Sequence, residues 1–267
     1  MTTPSTDDAN SPPEPGDSYV QSLARGLTVI RTFSAASPQQ TLSEVAERAG
    51  LTRAGARRIL LTLQTLGYVH NDGRLFQLTP RILDLGFAYL SSLSFWNLAE
   101  PVMESLVAQV KESCSAAVLD GTDIVYVLRV PTQKIMRINL GVGSRLPAYC
   151  TSMGRMLLAS LPDDELRQRL QASAPVARTQ STVVDIDQLM ERIAQVRRQG
   201  WALVDQELEE GLISMAAPIK DRQGQTLGAL NISGQANRSN AQLMQDTMLT
   251  PLLSAAQTIS RMLGAQP

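Results

Sequence analysis

The 267-residue chain is poor in the residues on which metal and hydrolytic sites depend, with one histidine, His70, and two cysteines, Cys114 and Cys150. The two cysteines are at unrelated spacing, and a four-ligand zinc site cannot be built from these residues without carboxylates. Reduced thiols in a cytosolic protein are the simpler interpretation. No Gly-x-Ser-x-Gly elbow and no Gly-x-x-x-x-Gly-Lys phosphate loop occurs. A histidine-dependent active site in the C-terminal part is therefore excluded, and we expect no catalytic residue, no metal and no cofactor.

Long apolar runs are also missing. No stretch of about 18 apolar residues occurs, and no signal peptide opens the sequence. Aromatic residues make up only 4% of the chain, but 43% of its residues are hydrophobic, enough to bury a core in one large domain or two ordinary ones. The sequence thus favours neither export nor membrane insertion, and we expect a cytoplasmic protein.

Charge is unevenly distributed although the net charge is only −1. Residues 1–16 contain three acids and no base, whereas residues 17–91 contain eight arginines and five acids, a net of +3. The remaining 176 residues contain 16 bases and 17 acids. A local basic excess indicates where a nucleic acid could bind.

The basic part contains a pattern typical of a helix-turn-helix between Thr41 and Leu78. A first short helix is predicted from Leu42, Val45 and Ala46, with Ser43 as its N-cap and Gly50 as its end. A second helix follows, with Thr52 as N-cap and an apolar stripe formed by Ile59, Leu60, Leu63 and Leu66. Its other face carries Arg53, Arg57 and Arg58, as a helix in the DNA major groove requires.

The flanking segments complete a winged unit. Asn71-Asp72-Gly73 separates two β-prone runs and predicts a hairpin, the wing, with Arg74 near its tip. Upstream, Leu23, Leu27, Ile30 and Phe33 predict a helix packed beneath the other two, and residues 1–17 have the composition of a disordered tail. We therefore expect a winged helix-turn-helix over residues 18–79. Residues 80–95 then predict an apolar helix that either links and dimerises the chain or packs within it.

The pattern of residues 96–267 predicts a second domain. A helix with Leu98, Val102, Leu106 and Val110 opens it, β-prone runs follow around an Asp120-Gly121 turn, and helices ending at Gly200 precede further strands. A last helix spans roughly Asn240 to Leu263. Strands joined mostly by hairpins and bracketed by helices predict an α+β domain with an antiparallel sheet.

A glycine-bearing loop leads into a helix start near Ser152, where free backbone N–H groups and the helix dipole suit a carboxylate. The simpler alternative is that Thr151 or Ser152 only caps the helix. Arg155, one turn later, either contributes charge or is solvated surface.

Other polar residues of this domain are open to two interpretations. Arg129 and Arg137 lie in β-prone runs and either meet an acidic ligand or are edge-strand charges. The acids Asp205, Glu207, Glu209 and Glu210 crowd one turn without a calcium-binding spacing, so a solvated turn is expected. Asn231 interrupts an apolar run and, if buried, must find hydrogen-bond partners in the protein or a ligand.

Several separated motifs, in order, resemble one family over about residues 18–263. They are SLARGLTVIRTF, TLSEVAERAGLTRAGARRILLTLQTLGYV, RLPAYCTSMGRMLLA and VDQELEEGLISMAAPIKDRQGQTLGALNISG. They are similar to the IclR family of bacterial transcriptional regulators. Within the family, the segments LPAYCTSMGR and DQELEEGL…AAPI are similar to the subgroup that controls protocatechuate and 4-hydroxybenzoate catabolism through the β-ketoadipate pathway.

The resemblance implies a winged helix-turn-helix, a connecting helix and a GAF-like effector-binding domain, assembled as homodimers or homotetramers on operator DNA. Position by position, it implies an effector site for a small organic acid. This set comprises Ile138, Leu146, Ser152, Met153, Asp205, Ser214, Asn231 and Ser233, with Tyr149 and Arg137 as further aromatic-acid contacts. In relatives that bind small oxo-acids, a cysteine stands at the position of Ser214 and a serine at that of Asn231, which indicates a different, aromatic or dicarboxylic, effector here.

For DNA, Arg53 and Arg57 are predicted to contact base edges or phosphates. Thr52 and Ala54 help them, and Arg25, Arg58 and Arg74 serve as backbone anchors. Two other classes stay open: a DNA-binding protein whose second domain only oligomerises, and an enzyme domain fused to a DNA-binding head. We expect no membrane partner.

Overall fold

The structure, a computed structural model, describes residue 16 and residues 19–86, 96–132, 140–238 and 240–265. The chain divides between Ser91 and Ser92 into two compact units. Within the described ranges, no helix is long and apolar enough to cross a membrane.

Between residues 19 and 78, the first unit contains three α-helices and a small antiparallel sheet. Its elements are α1 (Gln21–Arg31), β1 (Gln39–Thr41), α2 (Leu42–Arg48), α3 (Arg53–Thr65), β2 (Val69–Asn71) and β3 (Leu75–Leu78). The strand order is β1-β3-β2, so β3 is central, and β2 and β3 form the predicted wing hairpin. Strand β1, which is only three residues long, was not predicted.

Local side-chain chemistry explains where the helices begin and end. The prediction of Ser43 as the N-cap of α2 is wrong: Thr41 is the cap, because its hydroxyl accepts from the Glu44 backbone N–H while the Glu44 carboxylate accepts from the Thr41 N–H. The Thr41 N–H and the Thr41 hydroxyl both donate to the Glu44 carboxylate, and these two hydrogen bonds lower the pKa of Glu44. Thr52 caps α3 as predicted, and Gly50, at φ +62°, makes the turn between the two helices.

The core of the first unit confirms part of the predicted apolar pattern. It is formed by Val29, Val45, Leu60, Leu63, Val69 and Phe76. Leu23 and Leu27 were expected to face this core, but they are 64% and 47% exposed, and Val29 of the same helix is buried instead. Leu66, the last residue of the predicted α3 stripe, is also exposed because it lies at the C-cap, beyond the packed part of the helix.

The predicted helix over 80–95 is described only at its start. Pro80–Ile82 form one 3₁₀ turn, residues 83–86 are helical, and residues 87–95 lie outside the described ranges. Leu83 and Leu85 are exposed there. The linking and dimerising role of this segment stays a prediction.

The second unit is built on a six-stranded antiparallel sheet of order β6-β5-β4-β9-β8-β7, as the predicted fold class requires. Its strands are β4 (Ser113–Asp120), β5 (Asp123–Val130), β6 (Arg145–Pro147), β7 (Ala202–Asp205), β8 (Leu212–Lys220) and β9 (Thr226–Gln235). Its helices are α4 (Trp96–Val110), α5 (Ser152–Leu158), α6 (Asp163–Ala172), α7 (Ile186–Gln199) and α8 (Ala241–Met262).

Turn and cap residues again account for the element boundaries. Gly121 makes the β4–β5 hairpin turn at φ +62°, and Gly200 ends α7 in the left-handed conformation, both as predicted. Thr151 caps α5 through its hydroxyl, and Asn240 caps α8. In α4, Leu98 is exposed rather than buried, whereas Ala99 and Met103 lie in the core.

Candidate functional site

Strand register brings two polar rows together on the sheet of the second unit. Arg129 of β5, Ser115 of β4 and Asn231 of β9 are direct cross-strand neighbours. The second row joins Ser113, Ser233, Ser214 and Val204 in the same way across β4, β9, β8 and β7. Because the rows are two residues apart along β4 and β9, their side chains emerge on the same face of the sheet.

Hydrogen bonds fix the floor that these rows form. The side-chain oxygen of Asn231 accepts from the Ser115 backbone N–H at 3.0 Å, and its amide nitrogen donates to the Ser233 hydroxyl at 2.9 Å. Asn231 is thus buried with partners inside the protein, and its orientation is set by them. Arg129 lies 3.4 Å from the Ser115 hydroxyl through one guanidinium nitrogen. The floor therefore presents hydroxyl, amide and guanidinium groups in fixed positions.

A cavity lies over this floor. Helix α5 and the turn before it bring up Cys150, Thr151, Ser152 and Met153. The loop after β7 brings up Leu208, and the start of β8 brings up Leu212. The remaining lining residues are Tyr126, Arg129, Leu140, Val204, Ser214, Asn231 and Ser233. One side of the cavity is therefore polar and the other largely aliphatic, a combination that suits a small molecule with one polar end.

The Ser152 hydroxyl is the most unusual group in the cavity. Ser152 is 1% exposed, and its oxygen has no hydrogen-bond partner among the described residues. Thr151 supplies the cap of α5, so Ser152 is not needed for that purpose. A buried hydroxyl normally has a partner, and a lone one is a candidate ligand contact.

The phenol and the thiol of the cavity wall are neutral at physiological pH. Burial raises the pKa of the Tyr126 phenol to about 12, against the opposing charge of Arg129. Burial likewise raises the pKa of the Cys150 thiol to about 11, and that of Cys114 also rises. Neither cysteine is a reactive thiolate, and Arg129 is the cationic side chain among the lining residues.

The cavity is narrow, with a volume of about 20 Å³. This is room for one or two water molecules. A benzoate-sized ligand is larger, so its binding requires a wall to move outward.

The structure brings five of the effector residues implied by the family resemblance into this cavity, namely Ser152, Met153, Ser214, Asn231 and Ser233. Asp205 lies next to Val204 on β7, and its side chain therefore points to the opposite face. Leu146 packs against the core, and the Tyr149 hydroxyl bonds to the backbone of Val176. Ile138 and Arg137 lie outside the described residues.

Other lining residues were not expected. The sequence allows two interpretations of Arg129, a ligand contact and an edge charge, and Tyr126, Leu208 and Leu212 are not among the residues predicted to bind the effector. The alternation along β5 could have indicated Arg129, but no sequence signal marks Leu208, because the loop after β7 has no regular period.

The acidic turn differs from its predicted solvated form at Glu207. The Glu207 carboxylate is buried and pairs with Arg155 at 2.6 Å, the two side chains being 9% and 4% exposed. Arg155 also donates from Nε to the Tyr149 carbonyl at 2.9 Å. The interpretation of Arg155 as solvated surface is thereby excluded. Among the described residues, no group of three or more histidine, cysteine, aspartate or glutamate side chains is arranged to hold a metal ion.

In the first unit, the residues predicted to contact DNA are all at the surface. Arg53, Ala54, Arg57 and Arg58 are exposed on α3, Thr52 is exposed at its start, Arg25 on α1, and Arg74 at the wing. Within the described part of the chain, the three α3 arginines form no ion pair with a carboxylate. The first unit therefore carries exposed arginines both on α3 and at the hairpin tip, as a winged helix-turn-helix needs.

Fold and sites together define a two-part regulator, and comparison with known proteins assigns its family. Residues 22–73 match the IclR helix-turn-helix domain, and residues 87–261 match the bacterial transcriptional regulator IclR C-terminal domain. The chain belongs to the IclR family of DNA-binding transcriptional regulators.

Individual relatives narrow the resemblance. The chain is 43% identical over 246 residues to the Pca regulon regulatory protein of Pseudomonas putida, covering 92% of this chain and 84% of that protein. It is 35% identical to the p-hydroxybenzoate hydroxylase transcriptional activator of Acinetobacter baylyi, covering 89% of each. A crystal structure of an IclR homolog from Microbacterium hydrocarbonoxydans in complex with 4-hydroxybenzoate is 26% identical, with a TM-score of 0.78, covering 91% of this chain and 98% of that one.

Proposed function

We propose that this chain regulates transcription in response to an aromatic acid that binds in the cavity of the second unit. The observation that carries this proposal is the buried, unpartnered Ser152 hydroxyl, which faces the same cavity as Arg129. The names of the relatives, which refer to the Pca regulon and to p-hydroxybenzoate, support the aromatic class.

Each wall of the cavity has a role in this proposal. Arg129 and Ser152 bind the effector carboxylate, since a guanidinium and a hydroxyl both donate to an anionic oxygen. Ser214 and Ser233 on the floor orient ring hydroxyl groups. Met153, Leu208 and Leu212 cover the ring, whose burial supplies the apolar part of the affinity.

In the first unit, α3 lies in the major groove in this proposal. Arg53 and Arg57 contact base edges or phosphates, and Thr52 and Ala54 line the same approach. Arg25, Arg58 and Arg74 contact the phosphate backbone. An arginine paired with guanine discriminates by about 1–3 kcal/mol, whereas a phosphate contact weakens binding to all sequences alike.

The remaining parts of the proposal concern organisation. Residues 18–79 form the DNA-binding domain, 80–95 the connecting helix and 96–267 the effector domain of a cytoplasmic, non-enzymatic homo-oligomer. Effector binding changes the relative placement of two DNA-binding heads and hence their fit to two operator half-sites.

Isothermal titration calorimetry of the full chain tests the effector site. The candidate acids are 4-hydroxybenzoate, protocatechuate, β-ketoadipate and shikimate. We expect saturable binding of at least one aromatic acid and the loss of this binding in Arg129→Met. The control is Arg192→Met, which replaces an exposed arginine of α7 and should bind the acid as the unmodified chain does. Silence for every acid would leave the second unit as an oligomerisation domain. Consumption of the bound acid would instead identify an enzyme.

Operator binding is tested separately with fragments of the gene's own promoter region. Arg57→Ala should weaken binding in a fluorescence anisotropy assay at fixed salt, without changing the circular dichroism spectrum. If Arg57→Ala binds the fragment as tightly as the unmodified chain does, the assignment of α3 as the recognition helix is wrong.

A further inference from the structure

The loop between β7 and β8 forms part of the cavity wall and closes on itself. Gln206, at φ +57°, donates its backbone N–H to the Leu212 carbonyl at 2.8 Å, and its side-chain oxygen accepts from the Gly211 N–H at 3.0 Å. Between these ends, Leu208 reaches both the cavity and the main core. The loop therefore behaves as a small closed unit that carries one wall residue.

One buried ion pair joins this loop to the opposite wall. Glu207 is the neighbour of Leu208, and Arg155 lies one helical turn after Ser152 on α5. Their contact at 2.6 Å thus connects the helix that presents Ser152 and Met153 to the loop that presents Leu208. The Arg155 Nε bond to the Tyr149 carbonyl anchors the same guanidinium to the turn before α5.

A second set of hydrogen bonds holds this loop to the segment between α6 and α7. The Glu207 carboxylate also accepts from the Val183 N–H at 3.1 Å. The hydroxyls of Thr182 and Thr179 donate to the carbonyls of Glu207 and Gln206, each at 2.6 Å. The segment between α6 and α7 therefore fixes the loop backbone, and the Arg155–Glu207 pair fixes its distance from α5.

Stability alone is a poor reason for such a pair. Removing two charges from water costs about as much as their attraction returns, and an apolar pair of similar volume is often as stable. What an ion pair adds over an apolar one is a defined direction and distance, because the guanidinium fork and the carboxylate meet in few geometries. The Arg155–Glu207 pair joins two walls of the cavity, so a fixed direction and distance between these side chains also fixes the distance between those walls.

We propose that Arg155 and Glu207 are positioning residues of the effector site, whose buried contact sets the separation between the Ser152 and Leu208 walls and thereby the affinity for an aromatic acid. This inference rests on the proposed function of the cavity. Because the cavity is narrow, a ligand must move part of its wall outward, but the pair keeps Ser152 and Leu208 at a fixed separation at which both contact the ligand. Without the pair, the two walls would not be held in this arrangement, and the acid would be bound more weakly.

The double substitution Arg155→Met with Glu207→Met tests the inference, since it removes both charges together and leaves no unpaired ion. The matched control is Arg167→Gln with Asp187→Asn, which removes an exposed ion pair of 2.9 Å in the same unit. Thermal unfolding, promoter binding and calorimetric titration with 4-hydroxybenzoate and protocatechuate are measured on the full chain. Binding by the unmodified chain checks the proposed function first, so that its failure is seen independently of the variants.

We expect the Met–Met variant to fold but to unfold at a lower temperature than the unmodified chain, because the Val183 N–H and the Tyr149 carbonyl lose their partners. It should bind the promoter fragment equally, but bind the acid at least fivefold more weakly. The control should bind the acid as the unmodified chain does. A folded Met–Met variant with less than a fivefold loss overturns the inference. If that variant does not fold, Arg155→Lys decides by the same criterion, because it keeps the charge but cannot reach both Tyr149 and Glu207.

Discussion

Substitution of Ser152 by alanine should have opposite effects on the stability of the protein and on effector binding. In the absence of effector, the buried Ser152 hydroxyl has no partner among the described residues. With an aromatic acid in the cavity, the same hydroxyl donates to its carboxylate in the function proposed above. One atom therefore destabilises the free state and stabilises the bound state.

Both magnitudes follow from the environment of the hydroxyl. An unpartnered buried polar group costs about 1–3 kcal/mol, so its removal should raise the free energy of unfolding or leave it unchanged. A hydrogen bond to a charged group contributes about 1.5–3 kcal/mol. At about 1.4 kcal/mol for each factor of ten, its loss should weaken effector binding by about 10- to 150-fold.

Ser260→Ala is the matched control. Ser260 is also buried, but its hydroxyl accepts from the Lys220 N–H at 2.9 Å and donates to the Ala256 carbonyl at 2.7 Å. The same substitution should therefore lower the free energy of unfolding there without changing effector affinity. Urea unfolding followed by circular dichroism and calorimetric titration measure the two quantities. If Ser152→Ala is destabilised as Ser260→Ala is, or binds the acid unchanged, the role assigned to the Ser152 hydroxyl is refuted.

Three further substitutions probe the cavity and its support. Asn231→Asp keeps an acceptor for the Ser115 N–H but adds a negative charge to the cavity floor. Two like charges about 5 Å apart repel each other by about 3 kcal/mol at an effective dielectric constant of about 20, so calorimetry should show at least tenfold weaker acid binding. Equal binding would contradict this. Gly154→Ala should lower the free energy of unfolding by about 1–3 kcal/mol, because a Cβ there would overlap the Ala148 carbonyl, whereas Gly26→Ala, with open space around it, should not be destabilising in the same urea assay. Burial raises the pKa of Tyr126 from its ordinary value of 10.0 to about 12, so the unfolded chain loses the phenolic proton first and the free energy of unfolding falls as pH rises from about 10 towards 12. Tyr126→Phe should make that fall shallower in thermal melts. An identical pH profile would exclude Tyr126 as a cause.

Local chemistry was enough to predict most element boundaries. Thr52, Gly121, Gly200 and Asn240 each satisfy backbone groups or adopt a conformation within a few residues, so the sequence carries the information directly. The prediction of Ser43 as the N-cap of α2 was wrong for an equally local reason. Thr41 lies three residues before Glu44 and forms reciprocal hydrogen bonds with it, which Ser43 cannot form. Two hydroxyl residues close to a helix start are distinguished only by such pairing.

The cavity could be predicted less completely, because it depends on pairing between distant strands. Asn231 stood out as a polar residue in an apolar run, but its alignment with Ser115 and Arg129 depends on the register of three strands, and a shift by one residue would turn each side chain to the other face. The Arg155–Glu207 contact joins residues 52 positions apart. Charge alone did not distinguish Glu207 from its exposed neighbours, since only tertiary packing buries it.

Thr41 links the wing of the first unit to its helix-turn-helix. It is the last residue of β1, paired with Leu75 of the wing, and also the residue that caps α2. A further side-chain bond joins Gln39 to Gln77 at 2.7 Å. Strand β1, the start of α2 and the wing strand β3 are consequently connected through this one residue. In the function proposed above, an effector acts on the relative placement of two heads and not on this connection within one head, so it should offset promoter mutations that alter the spacing between half-sites but not those that alter spacing inside a half-site.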